Sequence, residues 1–284
     1  IPFCKELCWY CGCNTKATRQ YKPVSSFLND LKHEISLVTH ALGATHDVRH
    51  IHFGGGSPSY LTPNDFTALF EHIKQHFNVL PNAEVAVELD PREITEAKIA
   101  AYAKAGVNRA SLGVQDFNST VQKAINRVQP FHRVYQAVEM LRQYGIKKIS
   151  FDLLYGLPHQ TSESILDTVA LATAMDPDRI SLFGYAHVPW MKKHMRLIED
   201  EALPKAEERL RQSDAARKKL KQYGYTAVGL DHFAKPTDTL ALALNSNQLK
   251  RNFQGYTTDA SETLIGFGPS AISAFKQGYV QNTP

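Results

Sequence analysis

Cys4-Lys5-Glu6-Leu7-Cys8-Trp9-Tyr10-Cys11-Gly12-Cys13 holds all four cysteines of a 284-residue chain, so they form one local device. Thiolates packed this closely suit a soft metal or an iron–sulfur cluster, because a short loop can turn several sulfurs onto one centre. A structural disulfide framework would need an oxidising compartment and cysteines spread along the chain to staple distant loops. A structural zinc site would draw a second ligand pair from a segment a dozen or more residues away. This chain has no second cysteine pair, and His52 and His72 lie far off in strand-like and helix-like surroundings. The reading left is that Cys4, Cys8 and Cys11, spaced C-x3-C-x2-C, ligate three irons of a [4Fe–4S] cluster and leave one iron open. An unfilled coordination position is a reactive one. Cys13 either supports the loop as a small packed residue or serves as a fourth ligand.

Working outward, 43% hydrophobic and 21% charged residues are ordinary for a water-soluble globular domain. No run approaches the roughly 18 apolar residues that span a bilayer, and no basic-then-apolar signal segment opens the chain. The expected location is therefore cytoplasmic, with no membrane partner. A net charge of +4 is mildly basic and scattered, with no Lys/Arg block carrying interleaved aromatics, which argues against a nucleic-acid partner. The chain starts at Ile1-Pro2-Phe3, without methionine and without room for a strand to carry the cysteine loop, so it reads as a fragment.

Beyond the loop, strand and helix patterns alternate. Phe27, Leu28, Leu31, Ile35 and Leu42 recur at helical spacing, and His50-Ile51-His52-Phe53 follows as a strand. Thr62-Pro63 opens a helix as cap and first-turn proline. Strands are then expected at 85–89, 110–114, 149–154 and 180–185, with helices over 94–105, 134–144 and 164–174; Gly106 and Gly145 stop two of the helices. Such alternation predicts an α/β fold of right-handed β-α-β units closing into a barrel or open barrel. In that architecture chemistry sits at the C-terminal ends of the strands. Those ends carry Gly54-Gly55-Gly56-Ser57-Pro58, Glu88-Leu89-Asp90-Pro91, Gln115-Asp116, Asp152 and Tyr185-Ala186-His187. Glu88 and Asp152 are carboxylates in otherwise apolar strands, so each needs a cation, a hydrogen-bonded neighbour or water. The glycine run lets backbone donors and acceptors approach a ligand closely, although a plain tight turn would use it too.

The cysteine triplet followed one strand later by the glycine run resembles the radical S-adenosylmethionine (radical SAM) enzymes. That resemblance implies a partial (β/α)6 barrel, with SAM chelating the open iron through its amino and carboxylate groups and being split to methionine and a 5′-deoxyadenosyl radical. Ten stretches narrow the family: I-P-F-C-x-x-x-C-x-x-C-G-C-N, G-G-G-S-P, E-L-D-P-R-E, L-G-V-Q-D-F, I-N-R-V-Q, D-L-L-Y-G-L-P, Y-A-H-V-P, G-L-D-H-F-A, R-N-F-Q-G-Y-T-T and G-P-S-A-I-S. Together they closely resemble the oxygen-independent coproporphyrinogen III oxidase (dehydrogenase) family. The related heme chaperones share the triplet and the glycine run; C-G-C-N and R-N-F-Q-G-Y-T-T separate the two.

The resemblance implies two SAM molecules. The first would meet Gly55, Glu88 and Ile272, the second Tyr10, Gly56, Ser57, Gln115, Arg127, Asp152 and Ala186. Tyr10 and Ser57 stand where relatives can carry phenylalanine and threonine. It implies oxidative decarboxylation of two propionates of coproporphyrinogen III to vinyl groups, giving protoporphyrinogen IX in heme biosynthesis, with an electron donor for the cluster and an unidentified electron acceptor. Arg251, His232 and Lys235 are candidates to meet substrate carboxylates. Residues 1–200 would be the barrel core with its first strand truncated, and 201–284 an α+β extension flanking it. The family's N-terminal segment and C-terminal helical domain would be absent, and the protein would be a monomer. A heme chaperone on the same scaffold and a radical SAM enzyme acting on heme are the alternatives.

Overall fold

Thr62 shows how local chemistry sets the elements: its side chain accepts from the Asp65 amide and caps α2 (Pro63–His76), whose Phe66, Leu69 and Phe70 are buried. The computed structural model describes residues 1–284. Two short parallel strands, β1 (Phe3–Cys4) and β2 (Lys16–Ala17), pinch the base of the cysteine loop. Helix α1 (Lys22–Leu42) follows, burying Val24, Leu28, Leu31 and Ile35 at i, i+4, i+7 and i+11. Strands and helices then alternate: β3 (Asp47–Phe53), α2, β4 (Asn78–Leu89), α3 (Glu96–Lys104), β5 (Arg109–Gln115), α4 (Ser119–Ala124), α5 (Phe131–Gln143), β6 (Lys148–Tyr155), α6 (Ser162–Ala174) and β7 (Arg179–Gly184). After α7 (Ala206–Gln222) come β8 (Thr226–Val228), β9 (His232–Ala234), α8 (Thr239–Asn245), and two hairpins, β10 (Lys250–Asn252) with β11 (Gly255–Thr257) and β12 (Ile272–Phe275) with β13 (Gly278–Gln281).

The main sheet runs β3-β4-β5-β6-β7-β9-β8; its first five strands are mutually parallel, and β9 is antiparallel to both of its neighbours, β7 and β8. Beside the free edge of β3, the Ile1 carbonyl accepts from the Gly56 amide at 2.8 Å, so the first residues run along the turn that leaves β3.

The two faces of the sheet have opposite chemistry. Val87 and Leu89, Leu112 and Val114, Phe151 and Leu153, and Ile180 and Leu182 point into a core cluster of 41 buried residues shared with the helices. The alternate positions, His52, Glu88, Ser111, Asp152 and Ser181, form a polar inner face. The sheet also curves: Arg109 on β5 and Arg179 on β7, two strands apart, both reach Asp238, at 3.7 and 2.8 Å. One helical layer outside and a polar concave face inside make an open α/β barrel.

The inner face divides into two levels. At the N-terminal ends of the strands Arg109, 4% exposed, lies against Glu84 (3.1 Å) and Asp238, and Lys148 is 3.7 Å from Glu84. This ion cluster closes the barrel floor. The C-terminal level stays open: the Glu88 side chain is 44% exposed although its strand is central.

After α7, β8 and β9 continue the sheet from the β7 edge, and the segment that follows reaches the opposite edge. There His50 of β3 lies 3.8 Å from Asp259, Phe267 packs on Phe77, and the Gly268 amide donates to Glu34 of α1 at 2.9 Å. No helix is long and apolar enough to cross a membrane.

Candidate functional site

The cysteine loop hangs over the open level and is fastened there by backbone contacts. Trp9 donates to the Ile125 carbonyl at 3.0 Å and Asn126 Nδ2 donates to the Leu7 carbonyl at 3.0 Å. From the segment after β7, His194 Nε2 donates to the Cys11 carbonyl at 2.8 Å and Lys192 Nζ to that of Cys13 at 3.1 Å. Trp9 and Tyr10 pack on a small apolar cluster containing Ile125, Leu157, Tyr185 and Met195. The loop is thus tied to both the β5 and β7 sides of the barrel mouth.

All four thiols are free, with Cys8 buried, Cys4 and Cys11 half-buried and Cys13 exposed. Burial, and then the neighbouring Cys11 and Cys8 sulfurs, push Cys4 up to about 12. Interaction with the adjacent Cys13 thiol draws Cys11 down to about 6. A thiol such as Cys4, which resists ionising beside other sulfurs, loses that penalty when a cationic centre replaces its proton. No three His, Cys, Asp or Glu side chains converge on a position for one metal ion. Three free thiols within one short loop have the donor chemistry that an iron–sulfur cluster needs.

Below the loop, Gly54 allows the Glu88 carboxylate to lie against the backbone: a Cβ built on Gly54 would meet Glu88 Oε1 at 2.8 Å. Glu88 Oε2 accepts from the Gly55 amide at 3.2 Å and Oε1 from His52 Nε2 at 2.9 Å. Burial alone would raise Glu88, but the His52 hydrogen bond and charge and the Gly55 amide outweigh it and hold it below its usual range. Two strands over, Asp152 goes the other way, pushed up to about 6 by burial and then by the Glu88 charge, with hydrogen bonds from Ser111 (3.1 Å) and Ser181 opposing. The pair offers one fixed negative charge and one carboxyl that gains or loses a proton easily.

Higher in the mouth, Gly113 makes room for two side chains. A Cβ there would lie 2.9 Å from Gln115 Nε2 and 3.1 Å from Arg127 Nη2. The strand bulges here, and Gln115 takes a left-handed φ of 65°. Arg127, 6% exposed, donates from Nη2 to the Gly113 carbonyl at 2.6 Å, and from Nη1 to Asp90 Oδ2 at 3.1 Å and to Cys8 Sγ at 3.4 Å. Its Nε is buried with no partner. A buried donor left unpaired is costly.

Asp90, held down to about 2 by Arg127 and Arg92 against burial, binds Arg92 through Nε and Nη2, and Arg92 Nη2 also lies 3.6 Å from Cys8 Sγ. Buried Ser57 shares a 2.5 Å hydrogen bond with Ser59, whose hydroxyl accepts from the Asp90 amide. Ala186 is exposed just past the end of β7.

The structure therefore gathers Cys8, Tyr10, Gly55, Gly56, Ser57, Glu88, Gln115, Arg127, Asp152 and Ala186 at one end of the sheet, with Cys4 and Cys11 in the loop above. Ile272 lies outside the main sheet, in β12, where its backbone abuts Gly266 and pairs with Gln281. Of the cationic candidates, His232 faces Ser181 across the sheet and stacks edge-on with Tyr256, over which Arg251 lies. Lys235 is different: it pairs with Asp176 at 2.7 Å beside the start of β7, at the floor end, because β9 runs antiparallel and carries it away from the mouth. Asp90, Arg92 and His52 were not singled out as ligand contacts by sequence reasoning, although E-L-D-P-R-E held a carboxylate and a cation two residues apart at a strand end.

Over 282 residues the chain is 52% identical to the oxygen-independent coproporphyrinogen III oxidase of Bradyrhizobium diazoefficiens, covering 99% of this chain and 63% of that protein. It is 40% identical to the oxidase of the same name from Helicobacter pylori over 283 residues, covering 99% of this chain and 62% of that protein. The chain thus spans about 63% of the length of such curated relatives. Among solved structures it superposes on coproporphyrinogen III oxidase (HemN) from Escherichia coli, described as a radical SAM enzyme, with a TM-score of 0.97 at 40% identity, covering all of this chain and 65% of that one. The Radical SAM superfamily model matches residues 1–172, which takes in every cysteine and the strands bearing Glu88 and Asp152. That family implies a [4Fe–4S] cluster and SAM, and the cysteine thiols are of the donor type that such a cluster takes. With more than half its length matched, from the cysteine loop into α6, this chain belongs to the Radical SAM superfamily.

Proposed function

We propose that this chain carries the barrel core of an oxygen-independent coproporphyrinogen III oxidase (dehydrogenase). The reaction would remove the carboxyl groups of two propionates of coproporphyrinogen III as CO2, leave vinyl groups, and give protoporphyrinogen IX in anaerobic heme biosynthesis. The observation that carries this reading is the 0.97 superposition on the Escherichia coli enzyme along the whole chain at 40% identity. Neither a heme chaperone nor a heme-degrading enzyme is favoured by any contact described above.

In this reading Cys4, Cys8 and Cys11 hold the [4Fe–4S] cluster. A first SAM meets Gly55, Glu88 and Ile272, and a second meets Tyr10, Gly56, Ser57, Gln115, Arg127, Asp152 and Ala186. When bound, the cluster and SAM supply a reducing electron and a carbon radical able to take hydrogen from an unactivated C–H bond. The protein's own share is positioning and charge. Glu88, kept ionised by His52 and the Gly55 amide, attracts a cationic ammonium or sulfonium. Arg127 grips a carboxylate through its unpaired Nε, and its other nitrogens are fixed by Asp90 and the Gly113 carbonyl. Tyr10 contributes a flat apolar face, and Asp152 accepts from ribose hydroxyls. Arg251 and His232 are the cations best situated for the carboxylates of the substrate.

Residues 1–200 are the core in this account and 201–284 its extension, acting as a monomer in the cytoplasm without nucleic-acid or membrane partners. An electron donor serves the cluster, and a separate acceptor, not identified by any feature of this chain, takes the electrons left by decarboxylation. The test is anaerobic reconstitution of the full-length protein, followed by mass analysis with coproporphyrinogen III. Two successive losses of CO2 and two hydrogens, with release of methionine and 5′-deoxyadenosine, are expected. Tight heme binding with no SAM cleavage would replace this reading with the chaperone.

A further inference from the structure

We propose that Arg92 sets the reduction potential of the cluster by donating a hydrogen bond and positive charge to the sulfur of Cys8. This rests on the reading above that Cys4, Cys8 and Cys11 hold the cluster.

Arg92 is locked in place from two directions. Its backbone amide donates to Asp90 Oδ1 at 3.0 Å, as the 3-10 turn Pro91–Glu93 leaves the end of β4. Its side chain forks onto the same carboxylate, with Nε at 3.0 and 3.2 Å from the two oxygens and Nη2 at 2.6 Å from Oδ2. The remaining reach of Nη2 is toward Cys8 Sγ, at 3.6 Å. A guanidinium fixed by a bidentate partner loses little further freedom in making one more bond. Arg127 approaches the same sulfur at 3.4 Å and the same Asp90 oxygen at 3.1 Å.

The outcome is an Arg–Asp–Arg group of net positive charge against a thiol that is only 7% exposed. No charged side chain donates to the sulfur of Cys4 or Cys11; the cations beside Cys11, Lys192 and His194, donate to main-chain carbonyls instead. Arg127 also serves the Gly113 carbonyl and, in the proposed function, a cosubstrate carboxylate. The side chain of Arg92 hydrogen-bonds to nothing but Asp90 and Cys8.

Reduction adds negative charge to a cluster and its ligand sulfurs. Donors and cations at a ligand sulfur therefore stabilise the reduced form more than the oxidised one and raise the potential. The Asp90 carboxylate alone would act the opposite way. Arg92 offsets it and makes the cluster easier to reduce by the physiological donor.

The experiment compares full-length wild-type, Arg92→Gln and Arg92→Lys proteins, each reconstituted anaerobically, by iron and sulfide content and then by a redox titration followed by electron paramagnetic resonance. Arg92→Gln is expected to load like the wild type. At the wild-type midpoint its ratio of reduced to oxidised cluster should fall about tenfold, a lowering of about 59 mV. Arg92→Lys, which keeps the charge but loses the fork, should fall between the two. If Arg92→Gln fails to load, Arg92→Lys decides: a lowered midpoint supports the proposal and an unchanged one overturns it. A loaded Arg92→Gln protein with the wild-type midpoint overturns the proposal and leaves the cluster assignment standing. Wild-type protein that loads no iron overturns that assignment, and the proposal with it.

Discussion

Gly54→Ala separates the stability of the barrel mouth from its ligand chemistry. Gly54 has no positive φ, so its backbone tolerates alanine, but the new Cβ would sit 2.8 Å from Glu88 Oε1 and 3.0 Å from Oε2. Contacts this short cannot persist, and the part free to move is the end of the Glu88 side chain. Its displacement breaks the 2.9 Å contact with His52 and the 3.2 Å hydrogen bond from Gly55. Because the two side chains are 32% and 44% exposed, solvent screening leaves the ion pair worth about 0.5–1 kcal/mol. Replacing glycine recovers about 0.4–1 kcal/mol through a less flexible unfolded chain. The two nearly cancel, so Tm should stay within about 3 °C of the wild type. In the proposed function Glu88 meets SAM, so SAM affinity should fall about tenfold, or about 1.4 kcal/mol. Circular dichroism melts give the first quantity, and calorimetric titration of SAM into the reconstituted protein the second. Unchanged SAM affinity at unchanged Tm would refute the role given to Glu88. A Tm drop of about 10 °C would show that the clash is taken up by the backbone and refute the geometric argument.

Two further outcomes follow from the inner face. Asp152 has a folded pKa of about 6 against an ordinary 3.8, so the native state holds the extra proton in that window and stability falls as pH rises through it. Asp152→Asn should therefore be more stable than wild type at pH 7 by about 1–3 kcal/mol, with the difference closing below about pH 4; melts across that range check it, and a less stable variant at pH 7 would contradict it. Arg109→Met strips the floor cluster of its central cation and leaves Glu84 and Asp238 facing each other. The expected loss is about 3–5 kcal/mol, read as a shift in urea midpoint, and a loss under about 1 kcal/mol would mean the cluster is dispensable.

The outer face was the readable part of this molecule. Thr62 and Pro63 announced α2, and Gly106 stands just past α3 with φ at +90°, the stop expected of it. Apolar residues at alternate positions located all five parallel strands, since a helix-covered face has to be apolar. β4 begins at Asn78, seven residues before its apolar run, because Asn78 and Val79 pair with Asp47 and Val48. A stretch containing Pro81 and Asn82 carries no strand pattern, and only its neighbour makes it one.

The inner face was harder. Arg109, Glu84, Lys148, Arg179 and Asp238 are isolated charges in sequence, and only closure of the sheet across more than 150 residues pairs them. Glu88 and Asp152 were legible because a carboxylate in an apolar strand demands a reason. Asp90 and Arg92 were not, because a charged pair at a strand end is also what a solvated turn looks like. Their meaning comes from Cys8, 84 residues away from Arg92 in sequence.

Iron and sulfide analysis of the anaerobically reconstituted full-length protein tests the central claim most directly, with Cys4→Ala, Cys8→Ala, Cys11→Ala and Cys13→Ala measured beside the wild type. Wild type and Cys13→Ala should each hold about four iron and four sulfide per chain, and the other three variants should lose them. Loss of the cluster on replacing Cys13, or its retention on replacing any of Cys4, Cys8 and Cys11, would contradict the three-thiolate centre.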